Sequence, residues 1–376
     1  MKKIVAVFHD NDLLSGATMS YLTVIRYLNK KNYKIIAIVP KKDGNLEQYL
    51  MKLGIEVYSF CYGGNVYAES KSTIKKVRNY FECSIKSTIS YLSVLKCYKI
   101  LKDKNIDIVY SNTSTVYFGA WLAQKLQVNH IWHFREFGLL DQNSIHIWRR
   151  SFVKLANECK VITISKVLDH YCKENYGIKH TQMLYDDLEL QECKCEKKAH
   201  NTFNVLITGR ISEQKGQIYA IKAIEKLKNK NIKLYIAGKN NAYCEELKEY
   251  VYEKKVDNVV FCGLVEDMAK LRAEMDVSIV SSYSEAFGRT IIEDMLSDIV
   301  VVACNRGSVQ ELVKDKITGL VYKYGNIDDI CNCIIELYSN IELKNQLLRN
   351  AREYAVEFTK YNTSKKIEEI IDGDFS

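Results

Sequence analysis

Two short stretches carry the residue types that phosphate and sugar chemistry need. The first is Ser284-Glu285-Ala286-Phe287-Gly288-Arg289-Thr290-Ile291-Ile292-Glu293. It follows an apolar run ending near Val280 and opens a helical pattern, so Ala286, Phe287 and Gly288 would bring backbone N–H groups to a helix start. A helix start favours an anion, and the flanking carboxylates of Glu285 and Glu293 can accept hydrogen bonds from hydroxyls. The second is Thr208-Gly209-Arg210-Ile211-Ser212-Glu213-Gln214-Lys215-Gly216, again between a strand-like run and a helical pattern. Gly209 permits a tight turn or a close backbone approach. Arg210 can grip a phosphate bidentately, and Lys215 adds a compact positive charge. Together the two stretches suit a sugar nucleotide: a diphosphate to neutralise, and ribose and hexose hydroxyls to bind. Read singly, the same acids and bases would be solvated surface charge.

The elements that must position these residues recur along the chain. Short apolar runs at 4–8, 34–39, 55–58, 107–110, 129–134 and 160–164 form one set. Runs at 203–208, 232–236, 257–261, 276–280, 299–303 and 318–322 form a second, and helical patterns fall between most of them. Alternating strand and helix implies parallel sheets covered on both faces, with ligands at the carboxyl ends of the strands. A cysteine- and lysine-rich polar stretch, about 186–201, separates the sets. The reading is therefore α/β: two Rossmann-like domains, 1–186 and 200–358, their parallel sheets facing across a cleft. A last helix at about 360–376 crosses back onto the first.

The chain has 376 residues, nearly half apolar, with a formal net charge of +8. That length supports two cores, and the mild basic excess suits an anionic small substrate or an anionic membrane surface. No helix-turn-helix, zinc-finger spacing or RNP motif supports nucleic acid as a partner. The apolar run after Met1-Lys2-Lys3 ends too early, at His9-Asp10, for a signal peptide, and no run is long enough to span a bilayer, so a cytoplasmic location is expected. The twelve cysteines then read as reduced and mostly buried. Cys193 and Cys195 with His200 nearby lack a fourth metal ligand, so no metal is expected there. Cys331 and Cys333 lie on a helical pattern and point apart.

Residues 71–104 break the alternation. They hold nine lysines and arginines against Glu82 and Asp103, with Ile74, Val77, Phe81, Ile85, Ile89, Leu92 and Leu95 at helical spacing. The segment fits a long surface helix with its apolar stripe toward the core, or a helix lying on the anionic inner face of a membrane.

In register, Gly209-Arg-x-x-x-x-Lys215-Gly216 and Glu285-x-Phe-Gly-x-x-x-x-Glu293 resemble the retaining glycosyltransferases of the GT-B fold, the glycosyltransferase family 4 (group 1) type. Tyr235-Ile-Ala-Gly238, Phe261-Cys-Gly263, Gly307-x-x-x-Glu311 and Thr318-Gly319 fit the same order. The resemblance implies that Arg210 and Lys215 bind the donor diphosphate, Glu285 the donor sugar and Glu293 the ribose. It also implies that Gly16 lies in the glycine-rich turn after the first strand, that His133 ends the fifth strand facing the donor sugar, and that Ser165 opens a helix. It implies a nucleotide-sugar co-substrate with no metal or other cofactor, and a saccharide or lipid-linked saccharide acceptor.

Departures from the family pattern fall at Ser15-Gly16, at Tyr185-Asp186-Asp187, at Ser297-Asp298-Ile299 and at Arg306. On residues alone, His133 is equally a core histidine, Gly16 a turn glycine, and Arg135 and Glu136 a structural pair. Two other functions stay open: a GT-B-fold nucleotide-sugar epimerase, and a catalytically silent nucleotide-sugar-binding partner of another transferase. No Walker loop, G-x-G-x-x-G or zinc-protease pattern appears.

Overall fold

The computed structural model describes residues 1–190 and 196–373. Cys193 and Cys195 lie outside the described residues, as does the very end of the last helical stretch. The chain divides into two compact units, Met1–Asp187 with Tyr361–Ser376, and Leu188–Lys360.

The first unit is built on β1 (Lys2–Val7), β2 (Tyr33–Pro40), β3 (Glu56–Phe60), β5 (Ile108–Asn112), β6 (Asn129–Phe134), β8 (Lys160–Thr163) and β9 (Thr181–Met183). They form one parallel sheet in the order β3-β2-β1-β5-β6-β8-β9. Alternation along each strand feeds two cores: Ile4 and Ala6 pack on one face, Val5 and Val7 on the other. Burial on both faces explains why the central strands read as apolar runs, while the edge strand β3 is only half-buried. A small antiparallel ribbon of β4 (Val66–Ala68) and β7 (Ser144–His146) and the short β9 carried no such run and were not legible. The helix Asn362–Asp372 completes this unit. Ile367 and Ile371 join the core of Tyr21 and Ile25, and Asp187 accepts from the backbone of Thr363 and Ser364.

The second unit uses β10 (Phe203–Thr208), β11 (Ile232–Ala237), β12 (Val259–Gly263), β13 (Val277–Val280), β14 (Val300–Cys304) and β15 (Leu320–Tyr322). Their parallel order is β12-β11-β10-β13-β14-β15. Strand order reverses between β10 and β13 here, and between β1 and β5 in the first unit. Such reversals open a crevice at the carboxyl ends of the strands.

The stretch 71–104 is a single helix, Thr73–Leu101, and its orientation corrects the core-facing expectation. Cys83, Ser87, Ser90, Ser93, Val94, Cys97 and Leu101 are buried, whereas Ile74, Val77, Phe81, Ile85, Ile89 and Leu92 are exposed. Among the described residues the cysteines are unpaired, and only Cys61 is exposed. No described helix is long and apolar enough to cross a membrane.

Three histidines sit inside the first unit. Burial pushes His130 and His146 down to about 3, and burial with the nearby Arg135 guanidinium holds His133 well below its usual range. A histidine whose folded pKa is depressed stabilises the fold above the unfolded value of 6.5 and loses that contribution as pH falls through the window below it. Each such group forfeits about 2 kcal/mol by pH 5. Trp121, Trp132 and Trp148 all lie in this unit, so tryptophan emission reports on it alone. Urea midpoints followed by emission should fall between pH 7 and pH 5. A His130→Asn variant, unable to take up that proton, should lose less.

Candidate active site

The two sequence stretches meet at the reversal point of the second sheet. The loop after β10 holds Gly209, Arg210 and Lys215, and the loop after β13 holds Ser282 through Gly288. A Cβ on Gly216 would stand 2.4 Å from the Ser281 carbonyl oxygen, and one on Gly307 would stand 2.5 Å from the Glu285 nitrogen. Only glycine permits these approaches. They stack the loops after β10, β13 and β14 against one another.

That stacking brings Lys215 Nζ to 2.5 Å from Glu285 Oε1, an oxygen that also accepts from Ser282 Oγ at 2.6 Å. The Tyr283 N–H donates to Gln214 O at 2.8 Å, tying the loops by backbone as well. Ser308 clamps the turn, its Oγ donating to the carbonyls of Glu285 and Phe287 at 2.9 and 2.7 Å. Ala286 and Phe287 are buried, and Gly288, at φ 93°, caps the helix Arg289–Leu296. The Gly209 N–H donates to Ala237 O, and Arg210 is exposed beside it. Arg306, one of the departures from the family pattern, stands 5.7 Å over the rings of both Tyr283 and Tyr324. A cation held on two aromatic faces lies next to the Gly307 contact with Glu285.

Glu293 lies in the second turn of the Arg289–Leu296 helix, and its carboxylate is engaged rather than open. Arg289 Nε reaches Oε1 at 2.6 Å and Arg272 Nη2 reaches Oε2 at 2.7 Å, while Arg272 Nε holds Asp294 at 2.8 Å. Hydroxyl binding by Glu293 would therefore use its remaining lone pairs. The Arg289–Glu293 pair was legible as an i,i+4 spacing. Arg272, far back on its own short helix, left no signal.

In the first unit, Gly16 opens the helix Gly16–Asn29, and a Cβ there would meet nothing within 4 Å. The fold itself does not demand that glycine. Beside it, a group the sequence reading missed stands at the carboxyl end of β1. His9 Nε2 lies 3.0 Å from Asp10 and 3.4 Å from Ser15 Oγ, and His9 Nδ1 faces Asn112 at 3.1 Å. Its one available signal was a polar His9-Asp10 directly after a buried strand.

His133 is fully buried, one residue before the end of β6. Tyr110 Oη lies 2.8 Å from its Nδ1, and its Nε2 has no hydrogen-bond partner among the described residues. The ring is thus a neutral imidazole with little scope as a proton carrier. Arg135 and Glu136 do not pair with each other. Arg135 bonds Asp186 and Asn112, and Glu136 accepts from Ser114 and the Thr115 N–H. Ser165 caps the helix Lys166–Tyr176, accepting from the Leu168 N–H at 3.2 Å. His200, the described member of the candidate metal set, bonds Thr202 O at 2.6 Å.

Residues 192–354 match the family model described as glycosyl transferases group 1, and residues 14–184 match the one described as glycosyltransferase family 4. The chain belongs to the group 1 glycosyltransferases, enzymes that act on nucleotide sugars, and its fold is GT-B. It is 28% identical over 282 residues to an uncharacterized glycosyltransferase of Methanocaldococcus jannaschii, covering 72% of this chain and 77% of that one. It is 25% identical over 312 residues to the alpha-monoglucosyldiacylglycerol synthase of Streptococcus pneumoniae, covering 74% and 69%. The crystal structure of Anabaena HepE in complex with UDP and glucose superposes with a TM-score of 0.80 at 20% identity over the full length of both chains.

Burial alone would raise the Glu293 pKa, but Arg272 and Arg289 outweigh it and hold the carboxyl below its ordinary 4.5. A depressed carboxylate stabilises the fold above the unfolded value and loses that contribution as pH falls from 4.5 through the folded value. A Glu293→Gln variant should be less stable than the parent at pH 7 by about 1–3 kcal/mol in urea unfolding. The gap should narrow below pH 4.5. Asp294 shifts the opposite way, through burial and in part through the Glu293 charge, so an Asp294→Asn background isolates the Glu293 contribution.

Proposed function

We propose that this chain moves a hexose from a nucleoside diphosphate sugar to a hydroxyl of a saccharide or lipid-linked saccharide, with the anomeric configuration retained. The observation that carries the reading is the Lys215–Glu285 contact where the two glycine-bound loops stack. A cation for the diphosphate and a carboxylate for the sugar there stand side by side. UDP-sugar is the donor class to test first, since HepE was crystallised with UDP and glucose and with UDP-glucose.

In the reaction, the bond between the anomeric carbon and the diphosphate oxygen breaks as the acceptor oxygen bonds the same carbon. The acceptor proton passes to the departing diphosphate. Arg210 and Lys215 meet the growing negative charge, and the turn Ala286-Phe287-Gly288 aims the helix start at it. Glu285 stabilises the oxocarbenium-like sugar, and Glu293 orients the ribose. Gly16 leaves room for the donor phosphate and acceptor to approach the first unit, and His133 sits behind that surface as an uncharged donor. The charge of the leaving group is met by these side chains without a metal.

The S. pneumoniae relative's name specifies a glucosylated diacylglycerol as its product, which supports a membrane-borne acceptor. We assign the protein to the cytoplasm, at the inner face of the membrane through residues 71–104. There it would build surface polysaccharide such as capsule, exopolysaccharide or lipopolysaccharide.

UDP release from a panel of UDP-hexoses, with proton NMR of the product, tests this. The product should carry the donor's anomeric configuration, and an inverted product contradicts the reading. Glu285→Gln should lower turnover at least about a hundredfold. Chelation with EDTA should leave the rate unchanged.

A further inference from the structure

Among the described residues, the Arg306 guanidinium in the loop after β14 has no hydrogen bond or ion pair. An exposed arginine of that kind ordinarily sweeps through water. This one is held. Its Cζ stands 5.7 Å from the ring centres of both Tyr283 and Tyr324, in the corner that the two rings make at 75°. Tyr219 packs edge-on against Tyr324 at 5.4 Å, and the Tyr324 N–H donates to Asn305 Oδ1 at 3.0 Å. The corner is thus tied to the loops on either side of it. Aromatic faces attract a guanidinium but take none of its five N–H donors. Holding the side chain in advance lowers the ordering cost that a ligand would otherwise bear.

The place of this cation in the sheet says what it meets. β10, β13 and β14 are neighbours in that order, and the loops after them carry Lys215, Glu285 and Arg306. The path from the cation for the diphosphate to the carboxylate for the sugar therefore leads on to Arg306. The step is short. Tyr283 is two residues before Glu285, and the Gly307 backbone packs against the Glu285 backbone too closely for a Cβ. Burial, then the Glu285 carboxylate, pushes the Cys304 thiol up to about 12, and the Arg306 guanidinium opposes them. One buried sulfur feels both charges.

The Glu285 carboxylate is already engaged by Lys215 and Ser282, so Arg306 is not needed to neutralise it. Sugar hydroxyls are met by acceptors such as Glu285 and call for no guanidinium. The N–H fork of an arginine matches a planar oxyanion, with two parallel hydrogen bonds. On a donor whose phosphates are met by Arg210 and Lys215, the remaining place for an anion is the sugar. A hexose oxidised at C6 carries a carboxylate there. The glycine that the family pattern often has at this position offers no such fork.

We propose that Arg306 selects the donor sugar, and that the donor is the nucleoside diphosphate of a hexuronic acid whose carboxylate takes the guanidinium's N–H fork. This assignment rests on the donor reading above, in which Glu285 binds the sugar. Arg306 sets specificity and takes no part in breaking the anomeric bond.

Calorimetric titrations of the parent and of Arg306→Ala test this. The ligands are UDP, UDP-glucose paired with UDP-glucuronic acid, and UDP-galactose paired with UDP-galacturonic acid. In at least one pair the parent should bind the uronic acid about tenfold more tightly or better. Arg306→Ala should lose that preference while still binding UDP. Arg306→Lys, a point charge without the fork, should recover only part of it. A parent without the preference in either pair, or an Arg306→Ala variant that keeps it, overturns the proposal. So does a variant that weakens every ligand equally, which makes Arg306 a support for the loops. A parent that binds UDP and ignores the carboxylate sinks this assignment alone. One that binds no UDP sinks the donor reading with it.

Discussion

The second unit's chemistry depends on how closely three loops stack at the reversal point of its sheet. With parallel strands, the loops after β10, β13 and β14 all leave from the same edge. A methyl on Gly216 or Gly307 would collide with the backbone of the neighbouring loop. With hydrogen there instead, Lys215 meets Glu285, Tyr283 bonds back to Gln214, and Ser308 locks the turn from the other side. Backbone contacts and the Ser308 hydroxyl thus fix the loops that carry the acid, the base and the helix start. Positioning of this kind is what lets charges act on a developing anion without reorganising first.

Each unit also holds buried charge. Arg272 bridges Glu293 and Asp294 while Arg289 takes the other Glu293 oxygen. In the first unit Arg135 is held by Asp186 and Asn112, and Glu136 by the Ser114–Thr115 backbone. Buried ion pairs are weak contributors to net stability because desolvation offsets their attraction. They do, however, penalise any rearrangement that leaves one charge alone. Within each unit these pairs hold the strand-end loops in place more than they add to the stability of the fold.

Most of the twelve principal strands were legible because the central ones are buried on both faces and read as apolar runs, while the half-buried edge strands β3 and β12 kept enough apolar residues to show. The paired motifs were legible because glycine, acid and base fall at fixed offsets from strand ends. Other features depend on tertiary partners that spacing does not encode. Periodicity revealed the stripe on the Thr73–Leu101 helix but not that serines and cysteines, rather than the stripe, face the sheet. A serine face is buried when the loop opposite offers amide and carbonyl partners, as Asn65 and Cys61 do. Arg272 and His9 gained their roles from neighbours distant in the chain or across a strand end. The burial of His133 and the separate partners of Arg135 and Glu136 were decided by the same packing.

The most direct test of the donor-site account is a calorimetric titration of UDP into the parent protein and into Arg210→Ala, Lys215→Ala and Glu285→Gln variants. The account predicts that the parent binds, that each cation-deleted variant binds at least about tenfold more weakly, and that Glu285→Gln keeps most of the affinity, since its partner is the sugar and not the diphosphate. Cation-deleted variants that bind UDP as well as the parent would contradict it, because the stacked loops would then be holding something other than a nucleoside diphosphate.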